Sequence, residues 1–158
     1  MKIQRILFPT DFSELSKDAE RCACDFAKLF GADLHVLHVL NDLFLNVPPT
    51  AAAVMVPSKI LDGIVTSAEE EIQNIPPAGW DSDKNVVRVV RVGATYHTIV
   101  QYAAENAIDL IVIGTHGRTG LPHLLLGSVA ERVVQHAPCS VLTVRPHQAI
   151  AATQDVSR

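Results

Sequence analysis

The chain is short of several things, and each shortage removes a class of function. In 158 residues no apolar run approaches the ~20 residues a membrane-spanning helix needs. The opening segment, Met1-Lys2-Ile3-Gln4, leads into an apolar run too short for a secretory signal and lacks a cleavage-type site. A cytoplasmic protein with no membrane partner is expected. Basic residues are no more plentiful than acidic ones, and a net charge of −4 speaks against a nucleic-acid partner, whose binders usually carry a basic face. The three cysteines include no Cys-x-x-Cys pair. Cys22 and Cys24, two apart on an expected helix, point to different faces, so reduced thiols are expected rather than a disulfide frame or zinc site. His35 and His38 are three apart in an expected strand, on opposite faces, and make poor joint metal ligands. A Walker loop is missing too, because no lysine stands at the end of a Gly-x-x-x-x-Gly-Lys pattern. A dinucleotide fingerprint would need Gly-x-Gly-x-x-Gly after the first strand, and that is absent as well.

What is present is an alternation of strand and helix patterns in a chain long enough for one domain with a sizeable core. Residues 3–8 read as a strand ending at Pro9. Leu15, Ala19, Cys22, Ala23, Phe26, Ala27 and Phe30 recur at helical steps, and Gly31 stands where a C-terminal glycine belongs. Residues 34–40 form a second strand. A proline-bracketed stretch, 41–57, reads as a loop or lid beyond it. Ile60 to Ile72 then give a helix, 80–84 a turn, 86–92 a strand, 97–106 a helix with Asn106 as its cap, and 109–113 a fourth strand. Residues 128–136 form the last helix and 140–144 the fifth strand, an apolar edge of the kind usually covered. The single domain spans 1–146, and 147–158 is a polar, alanine-rich flexible tail. Five strands alternating with four helices predict an α/β fold, an open parallel sheet with helices on both faces. Its ligand site belongs outside the carboxyl ends of the strands, where the strand order reverses.

Four of the eight glycines lie in Leu110–Glu131: Gly114, Gly117, Gly120 and Gly127. A strand that opens into glycines and then a helix start is a cradle for an anion, offering free amides and a positive helix end. The two glycine-framed stretches, 114–120 and 127–128, suggest two walls of one pocket. Ser128-Val-Ala-Glu131 is also a capping box, and Asp11-Phe-Ser-Glu14 a similar cap, so Ser128 and Asp11 have helix-starting roles without any ligand. Arg118 suits phosphate geometry but serves equally as a solvated loop charge. His116 packs or caps more readily than it catalyses. Asp11 is the sole carboxylate expected near the pocket, too thin a set for fast phosphoryl chemistry.

The spacing Gly114-x2-Gly117-x9-Gly127-Ser128, with Pro9-Thr10-Asp11-Phe12-Ser13 after the first strand, resembles the universal stress protein family over about residues 1–146. In that family Gly-x2-Gly-x9-Gly-Ser/Thr marks the ATP-binding subclass. The resemblance implies a Rossmann-like sheet of order 3-2-1-4-5 and an adenine-nucleotide site. Gly114, Gly117, Gly127 and Ser128 would line ribose and phosphates, with His116, Arg118 and Gly120 in the same loop and Val129 adding a backbone amide. Pro9, Thr10 and Asp11 match the adenosine end, and Val39 would meet adenine through its backbone. It further implies a stress-response module that binds ATP, with Mg2+ carried on the nucleotide, and a homodimer paired through Ser140–Arg145. A weak ATPase or phosphotransferase, and a ligand-free interaction module, are the alternatives. Binding is expected to outrank catalysis, with slow hydrolysis left open.

Overall fold

The computed structural model describes residues 2–41, 58–80, 85–115 and 126–146. It forms a five-stranded parallel sheet of order β3-β2-β1-β4-β5. In chain order the elements are β1 (Arg5–Thr10), α1 (Lys17–Phe30), β2 (Asp33–Asn41), α2 (Ser58–Ile72), β3 (Val86–Gly93), α3 (Thr95–Glu105), β4 (Leu110–Gly114), α4 (Ser128–His136) and β5 (Ser140–Val144). The expected fold class and strand order are therefore both found. The stretch 41–57 beyond Asn41, the turn beyond Trp80, and the tail 147–158 lie outside the described residues.

Strand side chains alternate between faces, so the sheet supports two cores. Ile6, Phe8, Leu34, Val36 and Val112 bury against Ala19, Ala23 and Ala27 of α1 and Ile72 of α2. Leu7, Leu37, Ile111 and Ile113 bury against Ile99, Tyr102 and Ala103 of α3 and Ala130 and Val133 of α4. The central strands are apolar on both sides because helices cover both. Small alanines on α1 let that helix approach the sheet closely. Cys22 and Cys24 do not point to different faces as expected: Cys24, outside the apolar pattern, is buried, and half-buried Cys22 packs against the same core, because the sheet and neighbouring elements cover a wider stripe of α1 than the pattern marks.

Several boundaries differ from the sequence expectation for identifiable reasons. β1 continues through Pro9 to Thr10, whereas a strand ending at Pro9 was expected. Proline removes a ladder donor, and the strand tolerates it because its two neighbours treat it differently. β1 pairs with β2 along its whole length, up to Thr10↔His38, but with β4 only at Ile6↔Leu110 and Leu7↔Ile111. Beyond Leu7 the sheet has already parted on the β4 side. α1 begins only at Lys17, since a 3-10 turn, Glu14–Ser16, precedes it and Ser16 Oγ donates to the Ser13 carbonyl at 2.7 Å. Gly31 ends α1 in the left-handed region at φ 58°, the role expected of it. At the end of α3, Asn106 caps as expected, its side-chain amide donating to the Tyr102 carbonyl at 2.9 Å, and Ala107 takes the left-handed position at φ 47°.

His35 and His38 do face opposite sides of β2. His35 Nδ1 shares a 2.8 Å hydrogen bond with the Tyr102 hydroxyl in the α3 layer. Burial holds the His35 ring below the ordinary histidine pKa, reinforced by Arg5 and opposed by Asp33. The folded protein thus disfavours the imidazolium more than the unfolded chain does. Stability from this neutral ring is fully present above the unfolded value of about 6.5 and is lost as pH falls below it. Urea denaturation across pH 5 to 7 should show a steeper acid loss for the wild type than for His35→Gln; equal slopes would show that this ring does not titrate on unfolding.

Candidate functional site

The reversal of strand order lies between β1 and β4, and the parting of those strands opens a crevice at their carboxyl ends. On the β1 side, Thr10 is buried and holds the following loop. Its Oγ1 accepts the Phe12 N–H at 3.0 Å and lies 3.4 Å from Ser16 Oγ. The Thr10 carbonyl accepts from His38 Nδ1 at 2.8 Å, and the His38 ring stacks on Phe12 with centroids 4.2 Å apart. Phe12 keeps this place with φ at 62°, a left-handed conformation that a bulky side chain rarely adopts. The end of β1 and the end of β2, where half-buried Val39 sits, are thereby fixed to one another.

Asp11 departs from the expected cap. Its Oδ1 accepts both the Ser13 N–H, at 3.1 Å, and the Ser13 hydroxyl, at 2.6 Å. The carboxylate therefore shapes the turn ahead of the 3-10 helix, and Ser13 is the residue at the cap position. A short side chain bonding two residues ahead is an Asx turn, which the spacing to Glu14 did not distinguish from a capping box.

On the β4 side, Gly114 closes the strand and Thr115 follows, buried. The Thr115 N–H donates to the Val144 carbonyl at 2.8 Å, and its carbonyl accepts the Gly127 N–H at 2.7 Å. These two bonds bring Gly114 and Gly127 close to one another. Thr115 is the residue sequence reasoning missed: its contribution comes through backbone groups, and the signal available was only its place after a strand-ending glycine. His116, Gly117, Arg118 and Gly120 lie outside the described residues.

The start of α4 overturns the capping-box expectation. Gly127, extended at φ −68° and ψ 151°, is the cap residue, and Ser128 is the first residue of the helix. The Gly127 carbonyl accepts the Glu131 N–H at 2.9 Å, which sets the first turn one residue earlier than a Ser128 cap would. Among the described residues no side-chain cap bond closes this end, since the cap residue is a glycine. The amides of Ser128, Val129 and Ala130 precede the first residue with an i−4 partner inside the helix, and they point out of its positive end. Ser128 itself is exposed. Uncapped amides with a positive dipole suit a phosphate group, and the donor set fits the phosphates of a nucleotide. Among the described residues no group of three histidine, cysteine or acidic side chains could hold a metal ion, and no helix is long and apolar enough to cross a membrane.

Comparison with known proteins agrees with this architecture. Universal stress protein MJ0531 of Methanocaldococcus jannaschii is 31% identical over 143 residues, covering 90% of this chain and 82% of the relative. The solved structure of MJ0577, from the same organism, superposes with a TM-score of 0.77 at 29% identity, covering 91% of this chain and 96% of that one. UspA from Lactobacillus plantarum gives a TM-score of 0.76 at 30% identity, covering 92% and 99%. Two more distant structures share the fold. One universal stress protein was solved with cAMP (23% identity, TM-score 0.64, covering 92% and 99%), and one from Archaeoglobus fulgidus with dAMP (22%, 0.60, covering 92% and 100%). The model of the universal stress protein family matches residues 2–145, nearly the whole chain, and the chain belongs to that family.

Proposed function

We propose that this protein is an ATP-binding stress-response module that holds its nucleotide in the crevice between β1 and β4. The observation that carries this reading is the junction at Thr115 and Gly127. It sets an uncapped helix end beside the tip of β4, at the point where β1 and β4 have parted. Ser128 and Val129 supply amides to the phosphates, Gly114 and Gly127 let them approach, and Pro9, Thr10, Asp11 and Val39 border the adenosine end. Gly117, with His116, Arg118 and Gly120, completes the loop between them. The same fold carries cAMP and dAMP in two relatives, which supports an adenine nucleotide as the occupant. Mg2+ arrives on the nucleotide and adds charge neutralisation of the phosphates.

Among the described residues that border the crevice no second carboxylate stands with Asp11, and Asp11 is engaged with Ser13. The site is therefore one of retention, and the protein acts through conformation or partners. β5 is an edge strand whose Val141–Val144 stay half-buried, and pairing of Ser140–Arg145 across a two-fold axis is the proposed homodimer contact. Calorimetry with ATP, AMP and inorganic sulfate tests the function. ATP is expected to bind and sulfate alone to bind far more weakly. No ATP heat at about millimolar concentration, where an affinity near −4 kcal/mol would register, overturns the reading. Turnover faster than about one ATP per second would make the protein an enzyme of ordinary speed.

A further inference from the structure

At the opposite, amino end of the strands lies a cavity of about 770 Å³ between the end of α2 and the edge strand β3. This falls within the usual ~300–1,000 Å³ of small-molecule sites. Its wall combines Pro76, Pro77, Val86 and Trp80 with Asn74, Asn85 and Arg88. Arg88 is out of place by pattern. β3 alternates, and Arg88 falls on the face where Val86 and Val90 pack against the α1/α2 core. It is half-buried there, its Nε donating to the Ile75 carbonyl at 2.7 Å. That bond satisfies a carbonyl of the turn after α2 but uses only the Nε donor; the remaining donors of a guanidinium sit on its Nη nitrogens. Among the described residues no carboxylate pairs with Arg88, and none lines the cavity. The Asp33 carboxylate accepts the Asn85 N–H nearby.

Trp80 adds a second observation. Lys28 Nζ stands over its ring, 5.6 Å from the centroid, a cation–π contact that helps hold the indole in place. The indole Nε1 is buried with no acceptor. A half-buried guanidinium with no counterion among the described residues calls for an anion. The indole and the two prolines call for a flat apolar body.

We propose that this cavity is a second small-molecule site, taking an aromatic carboxylate whose carboxyl group pairs with Arg88 and whose ring lies against Trp80. The site is separate from the β1/β4 crevice and does not depend on the nucleotide reading. Trp80 is the only tryptophan in the chain, so its indole N–H gives one resonance in a nitrogen-15 spectrum of the intact protein. Benzoate should shift that resonance saturably, with a Kd of about millimolar or tighter, and neutral benzamide should bind about tenfold more weakly. Arg88→Met should cost benzoate about tenfold in affinity while the circular dichroism spectrum is retained, as expected for loss of a charge-assisted pair. Should R88M fail to fold, R88K carries the test: a loss of about fivefold supports the fork–carboxylate pair, and undiminished affinity overturns it. The proposal also falls if benzoate shows no saturation by about 30 mM, far above a millimolar Kd, if benzamide or inorganic phosphate binds as well, or if ATP displaces benzoate.

Discussion

Ser128→Asp should abolish measurable nucleotide binding while making the protein slightly more stable to heat. Ser128 is exposed and is the first residue of α4, whose amino end carries no side-chain cap among the described residues. An aspartate there places a negative charge beside the orphan amides and the positive end of the helix dipole. That arrangement is worth about 0.3–1 kcal/mol to the folded state. The same charge occupies and repels the position proposed for the phosphates. A weakening of about 100-fold, or ~2.7 kcal/mol, is expected for ATP. Ser128→Ala, which removes the hydroxyl and leaves the amides, should weaken binding no more than about tenfold. Calorimetry and thermal melting on the same preparations check both signs. ATP affinity within about threefold of wild type for Ser128→Asp would place the phosphates elsewhere. A lower melting temperature would show that the Ser128 hydroxyl is structural.

Phe8→Ala is expected to be the most damaging single truncation of the core. Phe8 is fully buried in the middle of β1, the central strand, on the face covered by α1. Truncating such a ring removes its transfer free energy and leaves a cavity that close-packed neighbours fill only in part, a loss of about 3–5 kcal/mol. Native domains hold roughly 5–15 kcal/mol in total, so a drop in Tm of ~6–20 °C should follow for a domain of this size. Leu29→Ala makes a fitting control, because Leu29 is 72% exposed and its loss should stay within about 0.5 kcal/mol. Equal effects of the two substitutions would mean that the α1 layer is not packed as described.

The sequence by itself determined the fold class. Apolar runs in 3–8, 34–40, 86–92, 109–113 and 140–144, separated by helical periodicity, permit little else than a parallel sheet covered on both faces. It also pointed to Leu110–Glu131, where glycines concentrate, as the place for the proposed ligand site, and it determined that Gly31 would end α1. These features are local: each depends on residue spacing or backbone freedom within a few positions.

Tertiary structure decided what depends on neighbours distant in the chain. Pro9 reads as a strand terminator, yet β1 runs through it, because β4 has parted from β1 by that point. Ser128 reads as a helix cap, yet Gly127 takes that place, because the carbonyl of Thr115, distant in the chain, claims the Gly127 N–H. Asp11 reads as a cap but is turned into the Ser13 turn. Only the packing of the α2 end against β3 shows Arg88 half-buried at a cavity wall. Periodicity reports which face a residue lies on. Whether a backbone amide is already used, or a buried charge has a partner, depends on hydrogen bonds between segments far apart in sequence, and only the assembled chain fixes those.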